Sequence, residues 1–310
     1  MTDGLPASSL VALTGATGFV GGVIARHLHA QGHQLRLLAR SPDRIPKGLN
    51  AQLVPGSLAD SRALESLVTG VDAVVHCAGL TRAARLTHFE EVNAAGTQRL
   101  AQQAIATGNP PFLLISSLAA REPQVSAYAQ SKRQAEEILA AMPDLHWAAF
   151  RPPAVYGPGS AEVVGMLRWM DRGLAFSPGS PQARFSVVHA DDIATAVSAW
   201  LADSSITGIF DIDDQQEGGY SWIEFVAVAQ SVLGRSVSLR PAPPRLLNAV
   251  AWIGQQLGNG LGIVPALTPD KLAQLRHPDW VCRDRSFSAR TAWRPAISLQ
   301  QGLAAIKSGW

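Results

Sequence analysis

Tyr128 stands four residues before Lys132 in the stretch Ser126-Ala127-Tyr128-Ala129-Gln130-Ser131-Lys132. The 310 residues hold 3 tyrosines, and lysine occurs only at 47, 132, 271 and 307, so chance predicts roughly 0.04 pairs at this spacing. On a helix, residues i and i+4 share a face. A fixed ammonium beside a phenol stabilises the phenolate. The pair therefore suits a proton donor and acceptor at neutral pH, with Lys132 lowering the Tyr128 pKa. The alternative is an ordinary amphipathic helix carrying an exposed lysine.

A second chemical feature lies near the start. Thr14-Gly15-Ala16-Thr17-Gly18-Phe19-Val20-Gly21 follows a short apolar run and opens a helical pattern. This Gly-x-x-Gly-x-x-Gly spacing permits a tight turn, and the helix start offers free N–H groups to a pyrophosphate. The next strand ends at Ala39-Arg40, where an NAD-selecting site commonly carries an acid. A guanidinium there, with Arg44 four residues on, suits a 2′-phosphate, so NADP(H) is favoured over NAD(H). A solvated arginine at a strand end is the plainer alternative.

The elements that must position these groups are legible in the hydrophobic pattern. Short apolar runs at Leu10–Thr14, Gln34–Ala39, Gln52–Pro55, Ala73–His76, Phe112–Ser116 and Trp147–Phe150 read as strands. Helical segments near 19–31, 60–68, 89–107 and 127–141 lie between them, the alternation of a parallel sheet with crossover helices. The fold class is therefore α/β, a Rossmann-type doubly wound sheet with a smaller, mostly helical C-terminal substrate region. We assign residues 1–155 and 185–213 to the dinucleotide-binding domain, returning the strand–helix–strand unit from Phe185 to the sheet. Residues 156–184 and 214–310 form the substrate region, with a capping box at Ser221-Trp222-Ile223-Glu224 opening a helix to about Leu233.

The bulk numbers exclude several classes. A hydrophobic content of 47% supports a substantial core. The formal charge of +2 has no basic or acidic block, so nothing points to nucleic acid or an electrostatically bound membrane surface. Cys77 and Cys282 supply neither a disulfide framework nor metal spacing, and His76, His88 and His189 form no ligand set, so no metal is expected. Met1–Ser9 lacks a basic region, no apolar run reaches membrane-spanning length, and a cytoplasmic setting is the simplest expectation.

Taken in order, these segments resemble the extended short-chain dehydrogenase/reductase superfamily of the NAD(P)-dependent epimerase/dehydratase type. The resemblance covers most of the chain. It rests on the glycine loop, Val75-His76-Cys77-Ala78-Gly79-Leu80, Val92-Asn93-Ala94-Ala95-Gly96-Thr97, Ile115-Ser116-Ser117, Tyr128/Lys132, Arg151-Pro152-Pro153-Ala154-Val155-Tyr156-Gly157-Pro158 and Val188-His189-Ala190-Asp191-Asp192-Ile193. The resemblance implies Ser117 as the catalytic serine, Tyr128 as general acid/base and Lys132 as its cationic partner and ribose ligand. It also implies that Asn93 positions a water relay to the lysine. The cofactor would lie along Gly15, Thr17, Gly18, Phe19, Val20, Gly21, Arg40, Ser57, Leu58, Cys77, Ala78, Gly79, Pro152 and Val155. Ser57 departs from the family pattern, standing where an acid usually contacts adenine. Helices near 89–107 and 127–141 could build a homodimer seam by the same analogy.

The C-terminal third bears on the substrate. Leu246, Leu247, Val250, Ala251, Ile253, Gly254 and Leu257 fall on one helical stripe, expected to pack into a core. A hydrophobic substrate pocket or a membrane-surface contact are the other readings. Weak acid and base content near the expected cleft, and the missing sugar-nucleotide signature, favour hydride exchange with a carbonyl or alcohol on an apolar body, nearest the dihydroflavonol reductase and hydroxysteroid dehydrogenase members. A nucleotide-sugar epimerase or dehydratase is the alternative, with Arg168, Arg172 and Arg184 as diphosphate ligands. A non-catalytic NAD(P)-binding sensor or accessory subunit is the third reading. If Arg40 reads the 2′-phosphate, Arg40→Ala weakens NADPH far more than NADH, and equal losses in fluorescence titrations would remove Arg40 from that role.

Overall fold

The computed structural model describes residues 8–309. Residues 1–7 and Trp310, and with them most of the signal-peptide reading, lie outside the described residues. β1 (Leu10–Thr14) runs into α1 (Phe19–Ala30) and β2 (Gln34–Ala39), then β3 (Ala51–Pro55), α2 (Ser61–Val68) and β4 (Ala73–His76). Next come α3 (Thr87–Phe89), a π-helical turn at Glu90–Ala94, α4 (Ala95–Ala106), β5 (Phe112–Ile115), α5 (Ala127–Ala140) and β6 (Trp147–Arg151). The helix expected near 89–107 is present from Thr87 to Ala106 with a π turn around Asn93, and π turns of this kind often mark functional sites.

Period-two alternation in the strands builds two layers around the sheet. Val11 and Leu13 face a core completed by Ile24 and Leu28 of α1. Ala12 faces the opposite core, where Leu64 and Leu67 of α2, Leu100 of α4 and Leu139 of α5 pack.

β7 (Ala154–Tyr156), α6 (Ala161–Met170), β8 (Leu174–Ser177), β9 (Arg184–Phe185) and β10 (Val187–His189) follow, then α7 (Ala190–Ala202) and β11 (Gly208–Asp211). The main sheet has seven parallel strands in the order β11-β6-β5-β4-β1-β2-β3. Strand order reverses between β1 and β4, and in such sheets ligands bind outside the carboxyl ends of the strands at that point. α7 packs beside α1, and β11 adds to β6.

The run at Phe185–Val188, expected to rejoin the main sheet, does not. β10 pairs with β7 in a separate two-stranded sheet, and β9 pairs with β12 (Tyr220–Ser221). Ser186 divides the run: its N–H donates to the Trp280 carbonyl and its hydroxyl accepts from Cys282 N–H.

The chain ends with α8 (Trp222–Leu233), β13 (Ser238–Pro241), α9 (Pro244–Leu261), α10 (Pro269–Arg276), β14 (Asp279–Trp280), α11 (Ser286–Arg290) and α12 (Leu299–Ser308). The expected capping box is formed, with Ser221 and Glu224 satisfying each other's backbone N–H groups. A third core joins Leu167 and Met170 of α6, Phe225 and Ala229 of α8, and Leu303 and Ile306 of α12. The stripe on α9 differs from expectation. Ala251 is buried, but Leu246, Val250, Ile253 and Leu257 are exposed, so this face is not core. No helix among the described residues is long and apolar enough to cross a membrane.

Candidate active site

Close backbone approach explains two glycines of the loop. Gly15 has φ +82°, and a Cβ there would lie 2.6 Å from the Ala78 nitrogen, so β1 and β4 can meet only without a side chain. A Cβ on Gly21 would lie 2.2 Å from the Gly15 carbonyl oxygen. Gly18 is the N-cap of α1 and offers no side-chain cap, and the first turn carries no acid. The N–H groups of Phe19 and Val20 therefore face an anion-ready helix start, and the loop fits a dinucleotide pyrophosphate. Thr17 and Gly18 are exposed at its rim.

Three of the expected catalytic residues converge at the end of β5. Ser117 lies close enough to the Tyr128 hydroxyl to act on its titration, and the Tyr128 ring meets Phe89 edge-on, centroids 5.9 Å apart. Lys132 is buried, which disposes of the exposed-lysine reading, and its Nζ donates to the Ile115 carbonyl at 2.9 Å. The expected lowering of the Tyr128 pKa by Lys132 is not what the site shows. Burial raises the phenol above its ordinary value and the Ser117 hydroxyl opposes that rise, while the Lys132 ammonium donates to the strand end. Burial also lowers Lys132, against the pull of Cys77 and Glu136. Tyr128 is thus a protonated phenol at neutral pH.

Asn93 works through its side chain here. Its Oδ1 accepts from Leu80 N–H at 2.7 Å, while its Nδ2 donates to the Leu80 carbonyl and to Ser131 Oγ. It thereby ties the segment after β4 to α5, one residue before Lys132. Beneath it runs a chain of buried polar groups. Ala78 N–H donates to Thr14 Oγ1, which lies 2.7 Å from His76 Nδ1; His76 Nε2 lies 3.0 Å from Thr97 Oγ1, which donates to the Asn93 carbonyl. Because the Thr97 hydrogen is committed to that carbonyl, its oxygen must accept from His76 Nε2–H. His76 is therefore the neutral tautomer with Nδ1 accepting from Thr14. Burial, reinforced by Lys132, depresses its pKa to about 3. This is a structural tether rather than a metal site, and no cluster of metal-binding side chains exists among the described residues.

Several supporting residues were not singled out from the sequence. Glu136, one turn after Lys132 on α5, accepts from Ser116 Oγ at 2.6 Å and forms a two-point ion pair with Arg151. At the other end of α5, Ser126 Oγ accepts from Ala129 N–H, and Asp270 Oδ1 accepts from Ala127 N–H at 2.6 Å. Gln274 Nε2 donates to Ser126 Oγ. Asp270 and Gln274 share one face of α10, four residues apart, and only that spacing hinted at a joint role. A cavity of about 550 Å³ opens beside Asp270, between Arg85, Leu86 and Thr87 on one side and Gln255 and Asn259 of α9 on the other.

The remaining expected residues line the same sheet edge. Arg40 and Arg44 are exposed beyond β2, and neither forms an ion pair among the described residues. Ser57 Oγ accepts from Ala59 N–H, and the Leu58 carbonyl accepts from Arg99 Nε. Leu58 lies against Gly96, where a Cβ would be 2.8 Å from its side chain. The Pro152 carbonyl accepts from Leu118 N–H, next to Ser117, while Val155 packs on the α1 side of the sheet. Cys77 packs there too, its thiol pushed up to about 11 by burial. Arg184, proposed for a diphosphate, is engaged by the Gly218 and Gly219 carbonyls and by Glu224. Arg172 stacks on Trp169.

A parallel sheet in this strand order, a glycine-lined helix start and a Ser–Tyr–Lys group at its edge define an NAD(P)-dependent enzyme of the extended short-chain dehydrogenase/reductase type. Residues 11–212 match the NAD dependent epimerase/dehydratase family, and the chain belongs to it. It is 35% identical over 278 residues to a ceramide reductase of Caulobacter vibrioides, covering 88% of this chain and 86% of that one. It is 25% identical over 323 residues to a UDP-glucose 4-epimerase of Vibrio cholerae, covering 94% and 92%. The solved UDP-glucose 4-epimerase of Thermus thermophilus in complex with NAD superposes with a TM-score of 0.71 at 21% identity, over 96% and 98% of the two chains.

The buried imidazole predicts a pH dependence. His76 has a folded pKa of about 3, below its ordinary 6.5, so the unfolded chain binds the proton more readily between those values. The stabilisation is complete above the ordinary value and is lost as pH falls, by up to about 1.4 kcal/mol per unit from this group. Urea unfolding from about pH 7 to about pH 5 should show a shallower decline in His76→Gln than in the wild type. Identical slopes would mean that His76 titrates freely in the folded protein.

Proposed function

We propose that the protein is an NADP(H)-dependent reductase acting on a carbonyl borne by a long-chain lipid. The neighbouring Ser117 and Tyr128 hydroxyls carry this reading, because two adjacent O–H donors, one of them a phenol kept protonated by burial, suit a carbonyl oxygen gaining charge. The nicotinamide cofactor supplies hydride when bound. Ser117 then orients the substrate oxygen, and Tyr128 hands its proton to that oxygen as the charge develops. Lys132, one helical turn away, donates to the Ile115 carbonyl and so fixes the register of the helix that carries Tyr128. Gly15, Gly18, Gly21, Phe19 and Val20 would hold the pyrophosphate, Arg40 the 2′-phosphate, and Ser57 and Leu58 the adenine end.

The lipid assignment draws support from the ceramide reductase relative and from the exposed apolar face beside the cavity. The epimerase alternative is less well served, since Arg184 is committed to structural partners. A reducing, cytoplasmic setting and a homodimer seam on α4 and α5 belong to the same reading. In Tyr128→Phe, turnover of a long-chain keto lipid should fall by about 10²–10⁴-fold while NADPH affinity stays within a few-fold. Unchanged turnover would remove Tyr128 from proton transfer, and turnover of UDP-glucose in place of the lipid would favour the epimerase.

A further inference from the structure

We infer that α9 and the strand pair beside it form a docking surface for an anionic lipid bilayer. Leu246, Val250, Ile253, Leu257 and Leu261 recur at helical spacing and form one stripe on α9. The helix's own contacts lie elsewhere on its circumference. Gly258 meets the Ala84 carbonyl, where an added Cβ would be 2.8 Å away, and Ala251 is fully buried. Leu246 is 59% exposed and Leu261 69% exposed, so the stripe faces solvent. Trp252 on the flank, and Ile263 and Val264 beyond the helix, are exposed as well.

Charge favours a bilayer over another protein face. From residue 225 to residue 269 the only charged side chains are Arg235, Arg240 and Arg245, with no acid in the segment. The small charge of the whole chain conceals this one-signed stretch. Arg235 is held by Asp171, but Arg240 and Arg245 are exposed without an ion pair among the described residues. In the parallel pair of β8 and β13, Phe176 is in register with Arg240, so an exposed aromatic ring and a guanidinium sit side by side. Arg172 over the exposed ring of Trp169 repeats that combination. Apolar side chains flanked by arginine and aromatic residues, with no acid between residues 225 and 269, are the composition of a helix lying in a membrane interface.

The location gives the surface a use. Gln255 and Asn259 of α9 line the cavity beside Asp270, whose carboxylate caps the helix carrying Tyr128. A molecule seated on a bilayer by this face would open that cavity toward the lipid. The docking itself does not depend on the lipid-reductase reading, and binding measured without substrate keeps the two separable.

The test is flotation of the full chain with vesicles of phosphatidylcholine alone or mixed with phosphatidylglycerol, without substrate. The wild type should bind the anionic vesicles at least about tenfold more tightly than the neutral ones. The doubly substituted Arg240→Glu/Arg245→Glu should lose at least about tenfold of that affinity, and Leu257→Glu should lose it comparably, with NADPH binding retained as evidence of folding. Wild-type protein that stays with the unbound fraction overturns the inference, as does equal binding by the charge-reversed variant. Light scattering that shows Leu257→Glu dissociating a larger assembly, with no vesicle binding by the wild type, assigns the face to a second copy and also overturns it.

Discussion

Charges removed from water destabilise a fold by several kcal/mol each unless they find partners, and α5 buries two of them four residues apart. Lys132 is met by the Ile115 carbonyl and Glu136 by Ser116 and Arg151, all at the carboxyl ends of β5 and β6. Sliding or rotating the helix by one residue would separate both charges from those partners. The helix therefore has one register against the sheet, and that register sets Tyr128 beside Ser117. The placement of Tyr128 beside Ser117 owes its geometry to the two buried charges one and two turns beyond it.

A second set of polar contacts holds the opposite wall. Because Gly15 lets β1 approach β4, Thr14 can reach His76, and the imidazole continues through Thr97 to Asn93. Asn93 sits in the π turn that interrupts the helix between Thr87 and Ala106, and its amide is thereby aimed at Leu80 and Ser131. The glycine loop, the end of β4 and the start of α5 are thus joined by hydrogen bonds that have no slack. Such a fully satisfied network specifies one arrangement where an apolar core would tolerate several.

The smaller region contributes to the same machinery. Asp270 and Gln274, more than a hundred residues after Tyr128, complete the cap of α5. Arg276, at the end of α10, donates to Asn248 and to the Pro178 carbonyl, joining α10 to α9 and to the end of β8. The elements beside the cavity are therefore mechanically linked to the helix bearing the phenol.

Much of this was readable from local pattern. Strand boundaries such as Leu10–Thr14 and Gln34–Ala39 follow from apolar runs punctuated by glycine and polar residues, and the Ser221–Glu224 box follows from the chemistry of free N–H groups. The Tyr128/Lys132 pair and the glycine loop were visible because helical and turn spacing are properties of adjacent residues. What sequence could not supply were the quantities set by distant neighbours. Ser186 diverts the run after Arg184 from the main sheet because Trp280 and Cys282 take up its polar groups. The pKa of Tyr128 moves up, not down, because enclosure outweighs the Ser117 hydroxyl that opposes it. The stripe on α9 has the periodicity of a core helix, yet periodicity records only that one side is apolar. Which side meets protein is decided by where Ala84 and Leu267 lie, and that is a matter of tertiary packing.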